Sequence, residues 1–353
     1  MDDDCAVLVI GATGFVGRRV VAALVAGGHR VRCMVRDPSR AADLSADGFE
    51  VVRGDMLDAE AVSAAARGVR AVIVCVHTLS PQPGRRAGQD FVDVEADGVG
   101  SIVAACRANG ARRLLYVTSI GVAHGARSSW LRGRADVEDL LFGSGLDVTV
   151  LRPGMVVGHG GDGFGMVERG ARRRAAILLA SPHQRFRTVA VDDLAHQLVA
   201  LLDEPRSFGQ HFDVGSDDVL TIDEMVDLAA NHLGRRQPAK IHLPRGVLAH
   251  VAPLIERAAK MNSPTGYWDG DWSSTRFGLP GKGSRAARVL AIASPRCARR
   301  RRTAWSRCRG DTRVSIDGSG PSSAVCSTSV GPSSGPDSSK DHRAVGSARS
   351  PTV

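Results

Sequence analysis

The chain has 353 residues, 43% of them hydrophobic, and its 46 Lys+Arg against 37 Asp+Glu give a formal net charge of +9 at pH 7. That length and apolar content suffice for one large α/β domain or two smaller ones. The charge is uneven: residues 281–353 hold 14 Lys+Arg and 4 Asp+Glu, which leaves residues 1–280 with 32 against 33, so the body lacks the electrostatic footprint of a nucleic-acid binder.

The first ten residues, MDDDCAVLVI, carry acids where a secretion signal carries cations. No apolar run reaches the length of a membrane span, so a cytoplasmic protein is expected. Cys5, Cys33, Cys75 and Cys106 are scattered without metal-ligand spacing; they read as free thiols in a reducing compartment, and no metal is expected.

From residue 5 to residue 152, CAVLVI, RVRCMV, FEVVRG, RAVIVCV, RRLLYVT and LDVTVLR alternate with helical patterns. Continuous apolar strands separated by helices predict a parallel sheet covered on both faces, a doubly wound α/β domain. Directly after the first strand comes GATGFVG, with Gly11, Gly14 and Gly17 at the start of a helix. Glycines there allow a sharp turn, the approach of a pyrophosphate to the backbone, and close helix–strand packing. Dinucleotide binding is the expectation, with Thr13, Phe15 and Val16 as the intervening positions of the loop. The second strand ends CMVRDP. A carboxylate at its tip bonds the ribose 2'-hydroxyl, whereas an arginine accommodates a 2'-phosphate. Arg36 precedes Asp37, which favours NADP over NAD, with Arg18 as a second phosphate contact. After the third strand, Asp55 and Met56 are placed to meet an adenine edge and face, and a helix cap near Asp58 is the alternative role.

SSWLRGRADVED, residues 128–139, reads as the start of a helix capped by serines, yet its first turns carry Trp130, Arg132 and Arg134 instead of acids. Cations oppose the positive end of a helix, so an anion or a hydroxyl-rich partner nearby is expected. Beyond residue 151, TVAVDDLAHQLVALLD reads as a strand running into a helix and QHFDVG as a strand. In TIDEMVDLAANHLG, Thr221 and Glu224 have capping-box spacing and Gly234 is a C-terminal stop. AKIHLP and an apolar helix over 246–258 complete a smaller lobe over the sheet's carboxyl edge. The expected division is a nucleotide-binding domain over 1–155, a substrate lobe over 156–280 and a tail over 281–353. The tail's Ser, Gly, Pro and Arg show no hydrophobic period, so it is expected to stay disordered, as a solvated segment or a polyanion-binding arm.

With these pieces in order, the body resembles the short-chain dehydrogenase/reductase superfamily in its extended or atypical branch. GATGFVG, RGDMLD, LLYVTSIG, LRPGMVVGHGG and VAVDDLA carry the likeness over about residues 5–260. NmrA-like proteins, the nucleotide-binding accessory subunit of respiratory complex I and proteins of the nucleoside-diphosphate-sugar epimerase type are nearest. The resemblance implies a Rossmann-like fold, and Val76 and Pro153 join the expected cofactor-binding positions. It also implies a Tyr-x-x-x-Lys pair on the helix after the fifth strand, where the tyrosine transfers the proton. Here Trp130 stands at the tyrosine position and Arg134 at the lysine position, and neither does acid–base work. Arg134 is expected to bond ribose hydroxyls and Trp130 to wall the nicotinamide pocket. Thr118 and Ser119 follow the fifth strand where the family keeps a substrate-orienting hydroxyl, so Ser119 is a candidate contact. His124, in the loop before the helix, and His77, at the end of the fourth strand, are the candidate acids, with His159 a weaker one.

Three functions follow from that resemblance. The first is an NAD(P)H-dependent oxidoreductase acting on a small carbonyl or quinone-like acceptor without the Tyr–Lys pair. The second is a non-catalytic NADP(H)-binding redox sensor or assembly partner of another protein, and the third an epimerase or dehydratase. A nucleic-acid partner is not expected.

Overall fold

The computed structural model describes residues 5–42, 44, 49–76, 91–126, 128–178, 182–216, 218–242 and 324–326. Strands β1 (Ala6–Ile10), β2 (Val31–Val35), β3 (Glu50–Arg53), β4 (Val69–Val74), β5 (Arg113–Val117), β6 (Asp147–Pro153) and β10 (Gln210–Val214) form one parallel sheet in the order β10-β6-β5-β4-β1-β2-β3. β13 (Ala324–Cys326) pairs in parallel with the outer edge of β10. The fold is Rossmann-like, as the alternation of apolar runs and helices predicts.

Every residue of β1 and β5 is buried, because helices cover both faces. Helices α1 (Phe15–Ala26) and α6 (Val191–Ala200) pack on one face around Val7, Val9, Leu24, Leu194 and Phe212. Helices α2 (Ala59–Ala66), α3 (Phe91–Asn109) and α4 (Ser129–Phe142) pack on the other around Leu8, Ile10, Ile102, Tyr116 and Val150. The strand order reverses between β1 and β4, which opens a crevice at the carboxyl ends of the strands where such folds take ligands.

The smaller lobe has a core of its own, formed by Phe164, Val167, Leu178, Met225 and Val226. It contains β7 (Met155–Val157), β9 (Arg185–Ala190) and β11 (Val219–Thr221) in one sheet, and β8 (Ala175–Leu178) with β12 (Ala239–His242) in a two-stranded ribbon. Helices α5 (Asp162–Ala171) and α7 (Ile222–His232) cover them. Thr221 and Glu224 close the expected capping box at the head of α7. The lobe is not one continuous stretch of sequence: the chain returns through α6 and β10 to the main sheet before α7. Phe212 and Val214 join the same core as Val7 and Val9, so burial draws this segment back. The helix expected over 246–258 lies outside the described residues, as does the tail apart from Ala324–Cys326. Cys5, Cys33, Cys75 and Cys106 are free thiols, and burial pushes Cys33 and Cys106 up to about 12.

Candidate functional site

At the β1 end of the crevice the chain turns at Gly11, whose φ of 86° lies in the left-handed region. A Cβ there would stand 2.9 Å from the carbonyl oxygen of Cys75, at the end of β4. A Cβ on Gly17 would run into the carbonyl of Gly11, so α1 packs directly against the turn. Gly14 is the N-cap of α1, with no side-chain cap and no acid in the first turn. The positive helix end therefore faces the crevice, a cradle shaped for a pyrophosphate. The ring of Phe15 lies beneath Gly158 and Gly161, where any added Cβ would meet it. Thr13 accepts a bond from Arg18 Nε at 3.2 Å through its carbonyl, while Val16 packs against the core.

At the tip of β2, Arg36 is exposed. Asp37 turns its carboxylate to the N–H and hydroxyl of Ser39, at 3.0 and 2.7 Å, and so caps the short 3-10 turn Pro38–Ala41. Those bonds, with Arg40 and Arg53 nearby, hold the Asp37 carboxyl below its usual range. Arg18 Nη2 donates to the carbonyl of Arg40 at 2.6 Å and ties α1 to this turn. The β2 tip thus carries several arginines and one carboxylate that is already engaged.

Asp55 accepts from the N–H of Leu57 at 3.1 Å, and the α2 cap is Asp58, which accepts from Glu60 and Ala61. Met56 is buried and fills the space that the missing side chain of Gly98 leaves on α3. Val76 packs on the core at the end of β4. His77 lies outside the described residues.

The β5 and β6 end differs in kind. Tyr116 is buried within β5 and donates to Glu95 Oε1 of α3 at 2.6 Å. Burial and the Glu95 carboxylate push its pKa well above the usual value. Arg134 Nε stands 3.2 Å from the same oxygen, and both side chains are 2% exposed. Arg134 also lies over the ring of Trp130, 4.5 Å from its centroid, and its Nη2 has no hydrogen-bond partner. Trp130 is buried with Val122, Leu131 and Ala135. Ser128 is the N-cap of α4 but makes no capping bond; its hydroxyl is buried without a hydrogen-bond partner. The arginine in the second turn of α4 is thus balanced by a glutamate from the neighbouring helix.

A second buried acid, Glu138, accepts from Thr118 Oγ1 at 2.7 Å and from Nε of Arg152, and pairs with Arg152 Nη2. Asp213 lies opposite Arg152 in the β6–β10 register, and burial raises its pKa. Ser119 is buried and, among the described residues, donates to the carbonyl of Ile120 alone, at 3.2 Å. The carbonyl of Pro153 accepts from Ile120 N at 3.0 Å, which ties the ends of β5 and β6 together.

The histidines fall elsewhere. His124 bonds Asp136 at 3.3 Å and Asp139 at 2.9 Å. Both acids lie on the solvent face of α4, opposite Arg134 and Glu138, so the structure does not bring His124 to the buried side. His159 is exposed in the loop over Phe15. Sequence reading missed Glu95 and Glu138. The available signal was an acid set among Val94, Val99 and Ile102 on one apolar helix, and another beside Val137 and Leu141. Among the described residues no group of His, Cys, Asp and Glu is placed to hold a metal ion, and no helix is long and apolar enough to cross a membrane.

Residues 11–205 match the model of a family described as NAD(P)H-binding. The ceramide reductase of Caulobacter vibrioides is 31% identical over 73% of this chain and 80% of its own length. The photosystem II assembly factor Ycf39 of Cyanophora paradoxa is 30% identical over 41% of this chain; the match spans 44% of that relative, less than half its length. Among solved structures, the NADPH-dependent quinone oxidoreductase of Escherichia coli, complexed with NADPH, superposes with a TM-score of 0.61 at 18% identity. That superposition covers 81% of this chain and 98% of the other, and it bears on the fold alone.

Proposed function

The chain belongs to the NAD(P)H-binding family, and we propose that it is an NADPH-dependent reductase of the atypical short-chain type, acting on a small carbonyl or quinone-like acceptor. The observation that carries the cofactor preference is the β2 tip. Arg36, with Arg40 and Arg53 close by, would meet a 2'-phosphate, and among the described residues the carboxylate at that tip, Asp37, already accepts two bonds from Ser39 on Oδ1. The reductase name of the Caulobacter relative supports the reaction class.

The nicotinamide, when bound, supplies the hydride; the chain supplies position. The turn Gly11–Gly17 holds the pyrophosphate at the head of α1, and Asp55 meets the adenine edge. Val76 and Pro153, at the ends of β4 and β6, flank the nicotinamide. The hydroxyl of Ser119, spent only on a neighbouring carbonyl, turns to an acceptor oxygen. Tyr116 cannot stand in for the displaced family tyrosine, because its proton is held by Glu95 within the sheet. The proton on this reading comes from water.

A second reading, a non-catalytic NADP(H)-binding sensor or assembly partner, draws on one observation. The position that carries the family lysine is spent on the Glu95 ion pair. Titration of NADPH and NADH into the full chain, followed by tryptophan quenching and calorimetry, tests the cofactor claim. NADPH binding tighter than NADH by about 10-fold or more is expected, one charge-assisted contact being sufficient for that ratio. NADPH oxidation with any of a panel of quinones and aldehydes supports the reductase reading. Tight binding with no oxidation across the panel leaves the sensor, and no binding of either nucleotide ends both.

A further inference from the structure

The lobe carries a surface that the nucleotide site does not use. Two stretches, ARRRAAIL (171–178) and GRRQPAKIH (234–242), each run from a helix C-terminus through arginines into a short strand. The structure sets them side by side. Arg235 Nη1 donates to the carbonyl of Arg172 at 2.6 Å, and Ala239 N donates to the carbonyl of Arg174 at 3.0 Å. β8 and β12 then pair in parallel, with Ala175 opposite Ala239 and Ile177 opposite Ile241.

Strand alternation sends Ala176 and Leu178 inward, and Lys240 and His242 to Asp227 and Asp223 of α7. The outward face is left with alanine and isoleucine alone. Ile177 is 58% and Ile241 48% exposed, the two most exposed large aliphatic side chains among the described residues. One exposed isoleucine would be ordinary, but two in register on a bare ribbon make a patch. Beside it Arg173, Arg174, Arg235 and Arg236 are exposed, and no ion pair to a carboxylate is found for any of them among the described residues. Four like charges gathered without a carboxylate partner among the described residues repel one another, and an anionic partner relieves that repulsion.

We propose that this face, the apolar side of the β8/β12 ribbon with Arg173, Arg174, Arg235 and Arg236 at its edge, docks on an anionic phospholipid bilayer. Headgroup phosphates match the arginine forks, and the isoleucines enter the boundary between headgroup and acyl chain. A nucleic acid would satisfy the arginines but has nothing to cover the isoleucines, and the patch presents no aromatic ring for a base to stack on. The lobe would then rest on the membrane surface, and no helix among the described residues is long and apolar enough to cross it.

The test is co-sedimentation of the full chain with vesicles of phosphatidylcholine alone or mixed with phosphatidylserine, at physiological ionic strength. Because residues 299–302 of the tail are also arginines, three variants are compared: Arg173→Ala/Arg174→Ala/Arg235→Ala/Arg236→Ala, Ile177→Ser/Ile241→Ser, and a tail variant with Arg299 to Arg302 changed to alanine. Wild type is expected to sediment with the anionic vesicles only. Each arginine contributes about five-fold, so the first variant loses more than about 100-fold, while the tail variant keeps most of the binding. The serine variant, unchanged in charge, weakens as well. In a chain that is otherwise intact, Ile177→Trp shifts its emission to the blue when anionic vesicles are added, a gain of signal that a misfolded variant does not give.

Failure of wild type to bind anionic vesicles overturns the proposal, as does full retention of binding by either patch variant. Loss of binding in the tail variant alone assigns the effect to the tail and equally overturns it. A wild-type dimer without vesicles that the serine variant abolishes overturns it too, in favour of a second copy on this face.

Discussion

At the β1–β3 end of the crevice the cations stand exposed around a glycine turn, and the head of α1 has neither a cap nor an acid. At the β5–β6 end Arg134 and Arg152 are drawn in against Glu95 and Glu138. The same residue type does different work in the two places. Exposed guanidinium groups remain in contact with solvent, whereas buried ones lose their hydration and depend on a paired acid. At the second end Arg134 stacks over Trp130 and is balanced by Glu95.

That contrast breaks most sharply at Arg134. Arg134→Ala leaves Glu95 buried without its cation, so a loss of about 3–5 kcal/mol is expected in denaturant unfolding. The double variant Glu95→Gln/Arg134→Met should recover most of it. If R134A instead unfolds like wild type but loses NADPH affinity, the arginine serves the cofactor and the contrast fails. At the other end, Gly17→Ala forces a methyl group into the carbonyl of Gly11. It is expected to cost about 1–3 kcal/mol of stability and to abolish measurable nucleotide binding. A variant that still binds NADPH would show that the turn does not hold the pyrophosphate.

Arg36→Ala is expected to lower NADPH affinity by about 10- to 100-fold and leave NADH affinity unchanged, read by calorimetry. Equal losses for both nucleotides would move the 2'-phosphate contact elsewhere. The smallest effect belongs to His124. Its partners are two solvent-facing acids, so His124→Ala changes stability by about 0.5 kcal/mol or less. It also leaves any NADPH oxidation at the wild-type rate. A large fall in turnover would make His124 the acid and displace water from that role.

The glycine turn was legible in the sequence because all of its determinants are local. Three glycines at fixed spacing between an apolar run and a helix meet in space simply because the helix is short-pitched and the strand straight. The capping box of α7 was legible for the same reason. The buried charge layer was not. Glu95 and Arg134 are 39 positions apart, and Glu138 and Arg152 reach each other only once α4 lies across the ends of β5 and β6. Placing His124 as an acid was natural from its loop, yet the side of α4 it faces is set by which side the helix buries. The return of β10 to the main sheet likewise depended on packing between distant elements.

Sequence alone therefore determined the element types, the parallel sheet and the phosphate-shaped turn, since hydrophobic period and glycine spacing act over a few residues. Tertiary structure alone decided which arginines are buried against acids and which stay at the surface, because desolvation and pairing depend on neighbours that chain order does not place side by side.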